Sequence, residues 1–345
     1  MNIKRALLAI SQLPLAIGLI QAPDLLLAQS KDAKAGQSAA ETLDTSKLKM
    51  ISPKVTIGSM YDGKTPVLIV GETHTSKTAV RELTASLSKL KKKGITHLAL
   101  EIPEDFQTAE GIADLGRKMQ AKYGATVPVD NFVAMDDYLA GKVPREKMLA
   151  FMISFAPERE EKNPGLAEEN LKLIDRAHKL GIKVRCVDID AMSMAEQEIR
   201  EQAALHKGGD PIQGVKANLR EKERSLQARN GRIAKNVNDI VVNGGRVAML
   251  AGEDHTGAES NNGTGTIDTE LSEYNIATVD IDVHGGDVPK DLDSSDRLLT
   301  FKEEAMARDS GLAGKRFIQL GLKTADIDLH VAEDSSQKKK RQRAK

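Results

Sequence analysis

Two copies of one short polar motif occur in the sequence, each directly after an apolar run. They read Gly71-Glu72-Thr73-His74-Thr75 and Gly252-Glu253-Asp254-His255-Thr256. Glutamate and histidine two positions apart on an extended chain lie on the same side, so we expect Glu72 to pair with His74 and Glu253 with His255. Such pairs can bind a divalent ion or act as a general base, with the carboxylate fixing the imidazole tautomer. The motifs therefore predict a hydrolytic or metal-binding site.

Glu101 is a third candidate, because it closes the apolar run Leu98-Ala99-Leu100. A carboxylate beside such a run must find partners, since burying it unpaired is costly. We interpret Glu101 as a site residue. The alternative is a structural carboxylate that pairs with a helix N-terminus.

Arg229 and Asn230 fall on the apolar stripe of a long helical segment, between Leu226 and Ile233. The stripe is predicted to comprise Leu219, Leu226, Ile233, Val237 and Ile240. Arginine is rarely buried without a partner, so Arg229 either holds an anionic ligand or oxyanion, or forms an internal salt bridge. Both alternatives stay open at this point, and Asn230 is expected to lie alongside.

A second repeat, Val-Asp-Ile-Asp, occurs at residues 187–190 and 279–282. Asp190 is a lesser site candidate. The competing interpretation is that it caps the helix that follows, as aspartates at strand ends often do.

The elements that must position these residues alternate between strands and helices. Apolar runs predict strands at 66–70, 97–102, 184–189, 247–251, 276–283, 317–320 and 327–331. Helical patterns lie between them, with a long helix at about 213–243. This alternation predicts an α/β fold with a mainly parallel β-sheet flanked by helices. Ligands gather at the carboxyl ends of such strands, and the helical insertion at about 106–180 is a candidate cap over that edge.

Composition narrows the function classes. Aromatic residues make up 3% of the chain and Trp is absent, so a stacking platform for bases is not expected. The formal net charge is zero, which predicts no specific nucleic-acid partner. The single cysteine, Cys186, allows no intramolecular disulfide and is interpreted as a core residue. The sequence contains no P-loop motif, no Gly-x-Ser-x-Gly elbow and no His-Glu-x-x-His helix.

The chain divides into four parts. Residues 1–28 resemble an export signal, with Lys4 and Arg5 ahead of an apolar run, which predicts a periplasmic or secreted protein. Residues 29–54 are interpreted as a polar linker, 55–333 as a single α/β domain and 334–345 as a disordered basic tail. Six of the last eight residues are basic, so weak contact with an anionic surface is expected, and the alternative is a merely solvated tail.

The paired motifs, Glu101 and the Arg229-Asn230 helix occur in an order that resembles one superfamily, over roughly residues 65–285. It comprises TraB/Tiki proteases, erythromycin-esterase-like enzymes and ChaN-like haem-uptake proteins. The resemblance implies an EreA/ChaN-like fold with His74, Glu101 and His255 as the core site and Arg229 and Asn230 beside it. Its members are metal-dependent proteases, lactone hydrolases with a histidine base, or haem-binding proteins.

The first hypothesis is a hydrolase that acts on an ester or peptide bond of a small molecule or peptide. His74, Glu101 and His255 would bind Mn or Zn or provide metal-free base catalysis, and Arg229 would stabilise the oxyanion. Glu72 is a further catalytic candidate, and Asn230, Glu253 and Asp190 are supporting ones. The alternative is a protein that binds haem or another anionic ligand. A third hypothesis is an interaction protein that uses the fold as a scaffold.

Overall fold

The structure is a computed structural model and describes residues 49–51, 55–72, 77–124, 131–206, 211–256, 265–284, 316–320 and 327–331. His74, the export signal and the basic tail lie outside these ranges. The strands are β1 (Lys49–Ile51), β2 (Val67–Glu72), β3 (His97–Pro103), β4 (Lys183–Asp188), β5 (Val247–Gly252), β6 (Thr278–His284), β7 (Arg316–Leu320) and β8 (Ile327–Val331).

The helices are α1 (Ile57–Met60), α2 (Thr78–Lys92), α3 (Ala109–Tyr123), α4 (Met135–Leu139), α5 (Arg145–Phe155), α6 (Pro157–Lys162), α7 (Leu166–Lys179), α8 (Ala191–Leu205), α9 (Pro211–Val242), α10 (Glu253–Thr256) and α11 (Ile267–Glu273). A 3-10 turn covers Glu104–Gln107. Within the described part of the chain, no helix combines the length and apolarity needed to span a bilayer.

The eight strands form one sheet in the order β1-β7-β8-β6-β2-β5-β3-β4. Neighbours from β8 to β4 are parallel, and β7 pairs antiparallel with both β1 and β8. The predicted α/β fold with a mainly parallel sheet is therefore confirmed. Strand β1 was not predicted, because it lies in the segment interpreted as a polar linker.

Alternate residues of the central strands face opposite sides of the sheet, and helices cover both sides. On one side, Leu68 and Leu98 pack against α2, α3, α5 and α7. On the other, Ile69 and Met249 pack against α9 and α11. A fully buried side chain of this size contributes roughly 1.5–3 kcal/mol, so the two layers hold the sheet rigidly beneath any site at its edge. Cys186 is buried in the first layer, as predicted, and burial raises the pKa of its thiol.

The apolar stripe of α9 differs from the prediction in its N-terminal half. Ile233 and Val237 are fully buried as expected, but Leu219 is 48% exposed. This half packs on α8 through small and polar residues, and Asn218 donates a hydrogen bond to the carbonyl oxygen of Glu201. A β-carbon at Gly214 would overlap the carbonyl oxygen of Leu205, so the close approach of the two helices requires glycine there.

Candidate functional site

Four adjacent strands, in the order β2, β5, β3 and β4, deliver polar groups to one edge of the sheet. Glu72 ends β2, Gly252 ends β5, Glu101 lies near the end of β3, and Asp188 ends β4. The strands are parallel, so their carboxyl ends meet, as the sequence predicted. Gly71 and Glu72, the described residues of the first motif, lie on the strand next to β5 and are offset by one residue from the second motif, because Glu72 is in register with Gly252.

Glu101 is directed by an irregularity in the sheet. Strand β3 pairs with β5 only as far as Leu100 opposite Leu250, and its register with β4 shifts between Leu100 and Pro103. A shift of this kind re-aims a side chain. The Oε2 atom of Glu101 then accepts a hydrogen bond of 3.0 Å from the backbone N–H of Gly252. The carboxylate thus binds a backbone donor at the point where β3 and β5 no longer pair.

Arg229, on α9, binds two carboxylates at this edge. Its Nη2 atom donates to Oε1 of Glu101 and, at 2.5 Å, to Oδ2 of Asp188. Its Nε atom lies 3.2 Å from both oxygens of Asp188. Burial acts to lower the pKa of the guanidinium, but Glu101 and Asp188 outweigh it and raise that pKa above its ordinary value. Arg229 is therefore a permanent cation. Of the two alternatives for this residue, the internal salt bridge is the one that the structure contains.

His255 completes the cluster from α10. Asn230 donates from Nδ2 to the carbonyl oxygen of Gly265 at 2.7 Å, which leaves its Oδ1 to accept the Nδ1–H of His255. The Nε2 atom of His255 lies 3.2 Å from Oε1 of Glu101. His255 is 2% exposed and Asn230 is fully buried, so the imidazole is held between an amide and a carboxylate.

The hydrogen-bond donors around Glu101 indicate that its carboxylate is ionised. Glu101 receives N–H groups from Arg229 and Gly252, and both stabilise an ionised carboxylate. The contact between Nε2 and Glu101 is then attractive when the imidazole carries a proton on both nitrogens. Glu101 and His255 are therefore a buried carboxylate–imidazole pair, with 3.2 Å between Oε1 and Nε2.

A cleft of about 70 Å³, partly open to solvent, lies over this edge. The strands contribute Glu72, Leu100, Glu101, Ile102 and Leu250 to its lining. The opposite wall comes from α5, α6 and α7, and includes Met152, Phe155, Arg159, Glu160, Leu166 and Asn170. These helices lie in the 106–180 segment that was expected to cap the sheet edge.

Other predicted residues lie elsewhere or have other roles. Asp190 caps α8, accepting the backbone N–H of Ser193 at 2.9 Å, so the capping interpretation describes it. Glu253 begins a helix, so the expectation that it shares a side with His255 on an extended chain was wrong. Its side chain lies outside what the structure describes. Asp188, which is fully buried, belongs to the site but was missed. It is the last residue of β4.

The chemistry of the donor set bears on the predicted metal. Both oxygens of Glu101 face N–H donors, one of them on a cation, and Nδ1 of His255 faces an amide. This arrangement does not fit a Mn or Zn ion held by Glu101 and His255, because the cation would face Arg229. Within the described ranges, no group of three or more His, Cys, Asp or Glu side chains could hold a metal ion. A metal site that includes His74 stays a prediction, as does haem binding.

The fold and the site define an α/β protein with a buried carboxylate–imidazole–guanidinium cluster beneath a helical layer. No family model and no curated protein matches the sequence. Among solved structures, the chain is similar to the type III effector HopBA1, with 13% identity and a TM-score of 0.44 over 84% of this chain and 99% of that one.

Two further solved structures show a comparable likeness. ChaN of Campylobacter jejuni, described with cofacial haem binding, has 10% identity and a TM-score of 0.38 over 66% of this chain and 84% of that one. RRSP, a MARTX toxin effector domain from Vibrio vulnificus CMCP6, has 18% identity and a TM-score of 0.36 over 70% of this chain and 37% of that one. The resemblance to TraB/Tiki and erythromycin-esterase-like proteins stays a prediction.

Proposed function

We propose that the protein is a hydrolase that cleaves an ester or peptide bond in the cleft between the sheet edge and helices α5–α7. The observation that carries the proposal is Glu101, which lines the cleft and at the same time contacts Nε2 of His255. A carboxylate in this position links the substrate space to a buried imidazole. The pair can accept a proton from the attacking water and return it to the leaving group.

Each neighbour has a distinct part in this proposal. Arg229 and the N–H of Gly252 hold the Glu101 carboxylate in one orientation, and Asn230 fixes the tautomer of His255. Glu72 lies in the same lining, at the end of β2, and β5 separates β2 from β3. Stabilisation of the oxyanion by Arg229 remains a prediction, since its Nε and Nη2 atoms already bind carboxylates. His74, two residues after Glu72, is proposed as a second base at this edge.

The test is hydrolysis by the purified full chain on chromogenic esters, lactones and quenched fluorescent peptides. Glu101→Gln and His255→Asn should each lower kcat by about a hundredfold or more, the usual contribution of a general acid or base. His74→Ala tests the second base. The matched control is Glu110→Gln, which makes the same change on an exposed side chain of α3 and should leave kcat unchanged.

Two results would contradict the proposal. One is a wild-type protein that cleaves none of these substrates. The other is a wild-type rate in both Glu101→Gln and His255→Asn, with circular dichroism showing that each variant is folded.

Elemental mass spectrometry of the purified chain distinguishes metal-dependent hydrolysis from metal-free His–Glu base catalysis. A stoichiometric transition metal lost in His74→Ala would support the metal-dependent form, and its absence would support His–Glu base catalysis.

A further inference from the structure

Arg159 is a cation in the cleft lining, which also includes the carboxylates of Glu72, Glu101 and Glu160. Glu101 pairs with Arg229, which it shares with Asp188, and Glu160 accepts the backbone N–H groups of Gly165 and, at 2.9 Å, Ala167. Arg159, on α6, forms no ion pair with any residue that the structure describes, although it is part of the lining. A guanidinium at the wall of a cleft is a ready partner for a carboxylate or a phosphate, which it can bind through two parallel hydrogen bonds.

Apolar side chains also line both sides of the cleft. Leu100, Ile102 and Leu250 line the strand side, and Met152, Phe155 and Leu166 line the helical side. These side chains can contact an apolar group of a ligand, and that contact removes hydrocarbon surface from water. Met152 adds adaptability, since its unbranched thioether side chain packs against irregular shapes.

We propose that the cleft binds an anionic amphiphile, an apolar chain or ring system that carries one carboxylate or phosphate group, with the anion on Arg159. The inference rests on the proposed function for treating the cleft as a substrate site, and it names the substrate class. The substrate would be an ester or amide whose apolar part lies against Phe155 and Leu166. The scissile bond would lie at Glu101, and the charged group would remain with Arg159 after cleavage.

The test measures binding without requiring hydrolysis. Fluorescent dansylaminoundecanoic acid and the corresponding uncharged alcohol, which has no ester bond to cleave, are titrated into the full-length protein. The wild type should bind the acid about tenfold or more tightly than the alcohol, the ratio expected of one charge-assisted contact. Arg159→Met should abolish this preference, and Arg159→Glu should reverse it. Lys162→Met removes an exposed cation from the same helix and is the matched control, which should keep the preference.

Competition identifies the anion. Displacement of the probe by dodecanoate supports a carboxylate, and displacement by dodecyl phosphate supports a phosphate. Equal binding of acid and alcohol by the wild type would overturn the inference, as would an equal loss of preference in Lys162→Met and Arg159→Met. If the wild type cleaves no substrate but still prefers the acid through Arg159, the proposed hydrolase fails while the binding site stands.

Discussion

Glu101 and Asp188, which lie at the ends of the neighbouring strands β3 and β4, bind the same guanidinium group. The Nη2 atom of Arg229 donates to both, and Asp188 also lies 3.2 Å from Nε. Asp188 is fully buried and Glu101 is 8% exposed, so two negative charges at the sheet edge depend on one cation. Loss of the cation should therefore destabilise the protein more than loss of one of the two carboxylate charges.

Arg229→Met should destabilise the protein more than Asp188→Asn. The first change leaves two buried carboxylates without their cation, which costs about 3–5 kcal/mol for a buried pair. The second removes one charge and keeps the shape of the side chain, with an expected cost of about 1–3 kcal/mol. Urea unfolding of both variants measures the difference. An Arg229→Met protein as stable as the wild type would show that the cluster does not hold the edge together.

A second prediction concerns two glycines of the same helix, α9. Gly214→Ala should destabilise the protein by about 1–3 kcal/mol, because the new methyl group overlaps the carbonyl oxygen of Leu205 on α8. Gly231→Ala should instead stabilise it by up to about 1 kcal/mol, since the nearest atom, Oε2 of Glu270, would be 3.7 Å away and alanine favours helix. Thermal unfolding of the pair should give shifts of opposite sign, and shifts of equal sign would contradict the packing of α8 on α9.

Much of the fold could be predicted because buried parallel strands are continuous apolar runs. The runs that end at Glu72, Glu101 and Gly252 all proved to be central strands, and their parallel order brought the carboxyl ends together. The strand that ends at Asp188 departs from this pattern, because Arg185 interrupts its apolar residues. The repeated Val-Asp-Ile-Asp pattern drew attention to Asp190 instead, which caps a helix.

The remainder depends on tertiary contacts that no local pattern contains. Leu219 fits the apolar period of α9. However, α8 packs on a different side of the N-terminal half of α9, where it contacts Gly214 and Asn218 and leaves Leu219 exposed. Helix α10 begins at Glu253, and in a helix two residues that are two positions apart do not lie on the same side. Arg159 carries no signal in the sequence, because its place in the cleft depends on how the cap helices pack on the sheet.

A third prediction concerns His97, at the start of β3. Burial, together with Lys183, Arg185 and Lys91, lowers the pKa of His97 from 6.5 to about 4. The unfolded chain therefore binds a proton that the folded chain rejects, and stability present above pH 6.5 is lost as the pH falls toward 4. After allowance for solvent screening of a half-buried group, the loss is roughly 1–2 kcal/mol.

His97→Asn should remove that part of the pH dependence. Unfolding free energies of the wild type and the variant are compared by urea titration at pH 7.5 and pH 4.5, and the wild type should lose more stability between the two. Other titrating groups contribute equally to both proteins and cancel in the difference. Identical losses in the two proteins would show that His97 takes up its proton in the folded state as readily as in the unfolded one.

The fourth prediction has the opposite sign and concerns Glu198 on α8. Burial, together with Glu201 and Glu158, raises the pKa of Glu198 from 4.5 to about 7. Below pH 4.5 the group is protonated in both the folded and the unfolded chain. As the pH rises from 4.5 to 7, the unfolded chain gives up the proton first, so the folded state loses stability. Above pH 7 the folded protein holds a carboxylate that its surroundings disfavour.

Glu198→Gln should therefore stabilise the protein at pH 8 by about 2 kcal/mol, somewhat less than the full free energy of the shift, and change it little at pH 4.5. Unfolding in urea at the two pH values measures both effects. Glu110→Gln, on an exposed side chain in the first turn of α3, is the control and should give no gain in stability at either pH, because the charge of Glu110 favours the helix N-terminus. A gain of equal size at pH 4.5 and pH 8 would mean that glutamine packs better than glutamate there, and that the charge of Glu198 is not the cause.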